Sequence, residues 1–253
     1  MSGVLPVTLE DATKATQAFL MSGKEYVCLM QLHDNIEKSR VTDVIKDFIG
    51  EIYQKPPLRS SVKRILRKRT IYEINILEIE NRCVLFQVAC EAGTYIRKLC
   101  SDIGEVIGSG AHMRELRRTR AGPFTENEGI VSLYELLDAS LTYQEDDDER
   151  HLRNIILPVE KAFEYMPKIY IKDSAVNAIC HGADLAAPGI VKLNSRINQG
   201  DIVALFTLKK EIIAIAKALV NSQKMFENKF GLIAKTSRVI MPVDTYPKLW
   251  RKR

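Results

Sequence analysis

EAGTYIRKLCSDIGEVIGSGAHMRELRRTRAGPF, Glu91 to Phe124, is the stretch whose reading decides the fold. Before it, Cys83 to Cys90 (CVLFQVAC) is a nearly unbroken apolar run, short and rich in β-formers, as in an interior strand. The chain then breaks at Gly93, and Thr94 is a good N-cap. Ile96, Leu99, Cys100, Ile103, Val106 and Ile107 follow at the spacing of one helix face, and Gly108 and Gly110 end the helix. Arg97 falls in the first turn, where the helix dipole disfavours a cation. An anionic neighbour would compensate it; a solvated surface arginine is the alternative.

Downstream, Arg114, Arg117, Arg118 and Arg120 place four guanidinium groups within seven residues, just ahead of Gly122-Pro123. Such density suits phosphate contacts. Lys63 to Arg69 (KRILRKR) supplies five more cations, Lys63, Arg64, Arg67, Lys68 and Arg69. That run is either an RNA contact or a solvated edge.

Composition is globular, 46% hydrophobic and 27% charged over 253 residues. No apolar segment approaches a membrane span and no signal peptide opens the chain, which predicts a cytoplasmic protein without membrane association. The five scattered cysteines read as reduced core residues, and with no CxxC and four distant histidines no metal site is expected. Formal net charge is +5, yet the run Glu145 to Glu149 (EDDDE) alone carries five negatives, so the remainder stands at +10. A basic remainder suits a polyanionic partner.

In chain order, Leu9 to Met21 reads as a helix, Glu25 to His33 as a strand buried on both faces, and Val41 to Ile49 as an amphipathic helix stopped by Gly50. A Pro56-Pro57 loop follows. Ile71 to Glu80 and Cys83 to Cys90 form a hairpin across Asn81-Arg82, with a change of phase near Ile76-Leu77 that marks a bulge. Ser132 and Glu135 make a capping box. The acidic run reads as a flexible surface loop, and Leu152, Ile155 and Ile156 resume a helix up to Pro158. Beyond Pro167 short strands and turns suggest a small β-barrel.

GTYIR, DIGEVIGSGAHM and LRRTRAGPF, with KEYVCLMQLH, GEIYQKPPLRSSVKR, HGADLAAPGI and YPKLW, together resemble the TruB family of RNA pseudouridine synthases. Within it they are most similar to the archaeal guide-RNA-dependent branch related to dyskerin. The resemblance covers essentially the whole chain and implies an α+β fold. A mixed-sheet catalytic domain over residues 1–166, its N-terminal part missing, is followed by a small β-barrel PUA RNA-binding domain over residues 167–250. In the PUA-like part, Gly182 is expected to allow close approach of backbone to RNA, and Lys192 and Arg196 to meet phosphate; as isolated features they would mean only turns.

The implied reaction is isomerisation of uridine to pseudouridine in the TΨC loop of tRNA and/or in rRNA, with no cofactor. By the resemblance, Tyr26 stacks on the flipped base and assists proton removal at C5, Arg97 pairs with the catalytic aspartate, and Leu116 forms an apolar wall. Tyr26 is otherwise a core strand tyrosine. The family's aspartate lies in an HSGTLDPKVTGVLP-type motif, whose end is matched by Gly3-Val4-Leu5-Pro6; the aspartate falls upstream of Met1. Asp11 and Asp102 lie on helices outside that motif position. One expectation is a truncated synthase, inactive alone; the other is a catalytically inactive RNA-binding scaffold. Implied partners are a box H/ACA guide RNA, a small zinc-ribbon nucleolar-type protein, a glycine/arginine-rich-type protein and a kink-turn-binding ribosomal-type protein.

Overall fold

A computed structural model of the chain describes residues 2–56 and 62–249. Pro57 of the expected loop, the centre of the GEIYQKPPLRSSVKR block and Trp250 lie outside the described residues. The elements run β1 (Ser2–Gly3), α1 (Thr16–Leu20), β2 (Lys24–Leu32), α2 (Lys38–Asp47), β3 (Gly50–Gln54), β4 (Arg67–Glu80), β5 (Cys83–Cys90), α3 (Ile96–Ile107), β6 (Ala111–Ala121), β7 (Phe124–Thr125) and α4 (Leu133–Asp146). After them come α5 (Arg150–Ile155), β8 (Lys168–Ile171), α6 (Asp173–Cys180), β9 (Leu185–Ala186), β10 (Ile190–Leu193), β11 (Ile202–Phe206), β12 (Ile212–Ala218), α7 (Ser222–Glu227) and β13 (Leu232–Val239). Met1–Pro6 with Leu20–Leu136 form one compact unit, and Val7–Phe19 with Leu137–Arg253 another.

In the first unit the strand order is β1-β6-β2-β5-β4-β3, with β7 beside β6. The β1–β6 pair is parallel and the other pairings are antiparallel, a mixed sheet. Apolar residues alternate cleanly on β5, where Val84, Phe86, Val88 and Cys90 are fully buried and the residues between them only half so. The strand thus has one core face and one partly solvated face. Cys28, Met30 and Leu32 of β2 join that core with Leu99, Cys100, Ile103 and Ile107 of α3 and Val41 and Ile45 of α2. Each such side chain stabilises by about 1.5–3 kcal/mol on burial.

Strand β5 and strand β6 flank β2 and α3 connects them, so the helix crosses over β2. Its exit is tight. Gly108 caps the C-terminus at φ +91°, donating to the carbonyls of Gly104 and Glu105, and Gly110 N–H donates to Gly104 at 2.9 Å. A β-carbon at Gly104 would stand 2.1 Å from the Ala111 nitrogen. The bulge expected near Ile76-Leu77 is present, as a register shift between Ile76 and Glu78.

In the second unit the order is β10-β8-β11-β12-β13-β9, around a core that includes Ile169, Ile171, Val176, Ile179, Leu205, Ile213 and Ile233. Tyr246 of the YPKLW block locks the tail down. Its hydroxyl donates to Glu211 Oε2 at 2.5 Å, Thr207 donates to the same oxygen at 2.8 Å, and Asn177 Nδ2 donates to the Tyr246 carbonyl at 3.1 Å.

Four local expectations need correction. Thr94 does not cap α3: its hydroxyl donates to Glu91 O at 2.7 Å, and Tyr95 occupies the N-cap with no side-chain cap bond. The Leu9 to Met21 helix is split, with a tight three-residue-per-turn segment over Glu10–Ala15 before α1. Glu145 and Asp146 finish α4 rather than forming a loop. Asp147 to Glu149 form the short link to α5, in which Asp148 is tied to Arg150 at 2.6 Å and Glu149 to Arg153 at 2.8 Å. Finally, the strand expected over Ile71 to Glu80 begins earlier, so that Arg67, Lys68 and Arg69 open β4. The Ser132–Glu135 capping box is present in both directions, at 2.7 and 3.2 Å.

Candidate active site

Strand β6 carries the arginine cluster, and two bulges decide where its guanidinium groups go. Against β2 the register slips between Glu25 and Tyr26 and again between Leu29 and Met30, leaving Thr119 and Arg114 without opposite residues. Arg118 consequently faces Tyr26 and Arg120 faces Glu25. Tyr26 and Glu25 are consecutive on a strand and point to opposite faces, so the two arginines part company as well. Arg120 sits 3.9 Å from Glu25, Arg117 is paired with Glu126 at 2.7 Å, and Arg114 is exposed without an ion pair among the described residues.

Tyr26 is half-buried on the core face of the sheet, and Leu116, opposite Cys28, packs on the same apolar cluster. Arg118 donates from Nε to the Val4 carbonyl at 2.7 Å, and the Val4 N–H returns a bond to Arg118 O at 2.8 Å. Gly3 makes this approach possible. At φ +103° it tolerates no β-carbon, which would stand 2.1 Å from Arg118 O. Lys24 donates to the carbonyls of Leu20 and Ser22 at 2.8 and 2.6 Å. Burial, then the Arg118 charge, lower its pKa.

Burial raises the Tyr26 phenol above its ordinary value, and the nearby Cys90 adds to this. Arg118, through its charge and a hydrogen bond to the phenol, pulls it back down. Burial lifts the Cys90 thiol to about 11, and Cys100, hydrogen-bonded to Cys28 and buried, is also displaced upward. All three favour the neutral form in the folded state. Their contribution is complete below about pH 9 and is lost as pH rises through the folded values. Between pH 8 and pH 11 the urea midpoint of the first unit is therefore expected to fall, with Cys90 alone contributing about 2 kcal/mol. Cys90→Ala should flatten that decline.

Helix α3 brings Arg97 to this end of the sheet. Cys100 Sγ lies 3.5 Å from Cys28 Sγ, and the helix runs in the same direction as β2. Arg97 is one turn before Cys100 and Tyr26 two residues before Cys28, so both are at the same end. Arg97 is exposed and makes no ion pair or hydrogen bond among the described residues. The helix entry is held by a residue the sequence reading passed over, Gln54 at the end of β3. Only 1% exposed, it accepts from Tyr95 N–H at 2.9 Å and donates to Tyr95 O at 3.2 Å. No local pattern distinguishes such a glutamine from a surface one; the partner lies 41 residues away.

The basic residues of the second cluster divide too. Lys63 and Arg64 are exposed, with Arg64 Nε reaching Pro56 O at 3.4 Å, and Lys68 is paired with Glu51 at 2.5 Å. Arg67 and Arg69 are half-buried beside the entry to α3, Arg69 donating to Glu91 at 3.4 Å. In the second unit Gly182 has φ +86° and open space around it, Lys192 lies over the Tyr170 ring at 5.6 Å, and Arg196 lines a hollow of about 370 Å³ with Lys168 and Asn194. Of the two aspartates set aside earlier, Asp102 pairs with Lys98 and Asp11 with Lys14 at 2.9 Å. Among the described residues no group of three or more His, Cys, Asp or Glu side chains is placed to hold a metal.

With this geometry in place, similarity to known proteins becomes informative. Residues 1–96 match the TruB family pseudouridylate synthase N-terminal domain, residues 97–164 the tRNA pseudouridylate synthase B C-terminal domain, and residues 167–240 the PUA domain. The probable tRNA pseudouridine synthase B of Pyrococcus furiosus is 54% identical over 253 residues, 100% of this chain and 74% of that protein. The Methanosarcina barkeri protein of the same name is 51% identical over 253 residues, covering 100% of this chain and 75% of its own. Among solved structures, a chain of a Cbf5-Nop10-Gar1 complex superposes with TM-score 0.93 at 54% identity, covering 98% of this chain and 75% of that one. A chain of an H/ACA ribonucleoprotein bound to a substrate RNA containing 2'-deoxyuridine gives 0.90 at 52% identity, with 98% and 75% covered. Identity above half over the full length of the chain decides the matter: the chain belongs to the TruB family of pseudouridylate synthases.

Proposed function

We propose that the chain works on uridine in tRNA, at the TΨC loop, and/or in rRNA within a box H/ACA ribonucleoprotein. The observation that carries this is the placement of Tyr26 and Leu116 on one sheet face with Arg97, one helical turn before Cys100, at the Tyr26 end. In the reaction the bond from C1' to N1 breaks, the base turns, and C1' rejoins at C5, which then sheds its proton. Tyr26 stacks on the flipped base and assists that proton's removal, Leu116 walls the base, and Arg97 holds a carboxylate ionised. By the resemblance, that carboxylate is the family's motif aspartate. Arg97, a first-turn cation exposed to solvent, is suited to receive it.

Residues 167–250 act as the RNA-binding PUA module, using Gly182 and Lys192, and residues 1–166 as the catalytic part. The other RNA contacts are Lys63, Arg64, Arg67, Lys68, Arg69, Arg114, Arg117 and Arg120. Partners are the guide RNA and small proteins of zinc-ribbon, glycine/arginine-rich and kink-turn-binding types. The first two fit the Nop10 and Gar1 of the similar assembly. The protein works in the cytoplasm; among the described residues no helix is long and apolar enough to cross a membrane.

Release of tritium from RNA labelled at uridine C5 tests the reading. Particles assembled with this chain are compared with particles in which HSGTLDPKVT precedes Gly3, and with the aspartate-to-asparagine form of that motif. Release that follows the aspartate supports isomerisation. RNA binding with no release from any of the three favours the reading of an RNA-binding scaffold. Arg114→Gln is expected to weaken RNA binding and to reduce the slope of log affinity against log salt by about 0.7–0.9, as for one phosphate contact. Titrations from 50 to 300 mM salt measure it.

A further inference from the structure

We propose that Arg118 is a positioning residue for Tyr26, bridging its hydroxyl to the Val4 carbonyl, and not a phosphate contact like its neighbours on β6. The inference rests on Tyr26 as the residue that meets the base. Its basis is a difference within one cluster. Arg114 and Arg117 are exposed and Arg120 approaches Glu25, whereas Arg118 is half-buried and turned onto the tyrosine face by the bulge at Thr119.

Two bonds fix Arg118 to the Gly3-Val4 segment, one from its side chain and one to its backbone. The guanidinium group is planar and only donates. With Nε committed to Val4 O, the group is held beside Tyr26, its partner across the strands, where a terminal nitrogen donating to the phenol oxygen would occupy one of its lone pairs. The phenol proton is then directed away from Arg118, and the ring loses freedom to swing. Gly3 is part of the device, because any β-carbon there would push Val4 off Arg118. A lysine in place of Arg118 would keep the charge but not the fork.

The charged and titratable groups around Tyr26 are Cys90 on β5, Lys24 on β2, Arg118 on β6 and, from α3, Arg97 at the same end. Arg118 is the group that opposes burial at the phenol, so its removal has a defined sign.

The test is a pH titration of the whole chain labelled with tyrosine carrying ¹³C at Cζ, free of RNA. In Arg118→Gln the Tyr26 pKa should rise relative to the unsubstituted chain, while RNA affinity stays within about twofold and the salt slope is unchanged. An unchanged Tyr26 pKa overturns the proposal. So does an affinity loss with a slope reduced by about 0.7–0.9, the mark of a phosphate contact. If Arg118→Gln does not fold, Tyr26→Phe serves. The Arg118 guanidinium ¹⁵N resonances, slowed by the bridge, should broaden or average when the hydroxyl is removed; unchanged resonances overturn the bridge. Neither readout needs turnover, so a chain that releases no tritium would still decide the role of Arg118.

Discussion

Gly104→Ala is expected to abolish cooperative folding of the first unit, or to cost at least about 4 kcal/mol of its stability, read as the urea midpoint by circular dichroism. The added carbon would meet backbone, with Ala111 N at 2.1 Å, Gly110 C at 2.5 Å and Ala111 Cβ at 2.6 Å. No rotamer change relieves such contacts. The helix would have to lift from β6, and with it Leu99, Cys100, Ile103 and Ile107, all within 1% of full burial. Ordinary overpacking costs about 1–3 kcal/mol, and a backbone collision costs more. A domain with a total of about 5–15 kcal/mol does not absorb that easily. Gly50→Ala is the control. Its φ is +110° but nothing lies within 4 Å of the new carbon, so only backbone strain is expected, about 1–2 kcal/mol.

Replacing Tyr26 has the largest expected effect on chemistry. In particles that release tritium, Tyr26→Ala should lower the single-turnover rate by about 10²–10⁴-fold, the range for a residue assisting proton transfer. RNA affinity should change by less than about threefold, because the sheet face holds one nucleotide while the cations hold the backbone. Tyr26→Phe keeps the ring and separates stacking from proton transfer, and its rate should fall between the two. If Tyr26 were only a core tyrosine, Tyr26→Phe would leave the rate unchanged and Tyr26→Ala would show mainly as lost stability. Tyr26 packs against the apolar cluster that contains Cys28 and Ile96, so thermal midpoints should accompany every rate.

Helix α3 was legible because its apolar face, its two terminal glycines and the strand before it are all local signals. The Ser132–Glu135 box and the bulge at Ile76 were legible for the same reason. Thr94 misled because the bond that holds the helix entry comes from Gln54 on another strand, leaving the threonine hydroxyl to Glu91. The acidic run misled in its first two residues, Glu145 and Asp146, which continue α4. The arginine cluster shows the limit most clearly. Spacing alone makes Arg114, Arg117, Arg118 and Arg120 equivalent donors, yet two bulges, each set by the pairing of β6 with β2, give them four different neighbourhoods. Gly3 was legible as part of a family motif, but its reason, the absence of room beside Arg118 O, belongs to the parallel β1–β6 contact.

The most direct measurement is photocrosslinking of RNA carrying 5-iodouridine at the target position, with the modified peptide identified by mass spectrometry. An iodouracil ring stacked on an aromatic side chain reacts with it, and no turnover is needed. Adducts at Tyr26, lost in Tyr26→Leu and competed by unlabelled substrate, are expected from a sheet face that receives a flipped uridine. Adducts confined to the second unit or to the basic opening of β4, unchanged by Tyr26→Leu, would contradict that role for Tyr26, and with it the placement of the active site.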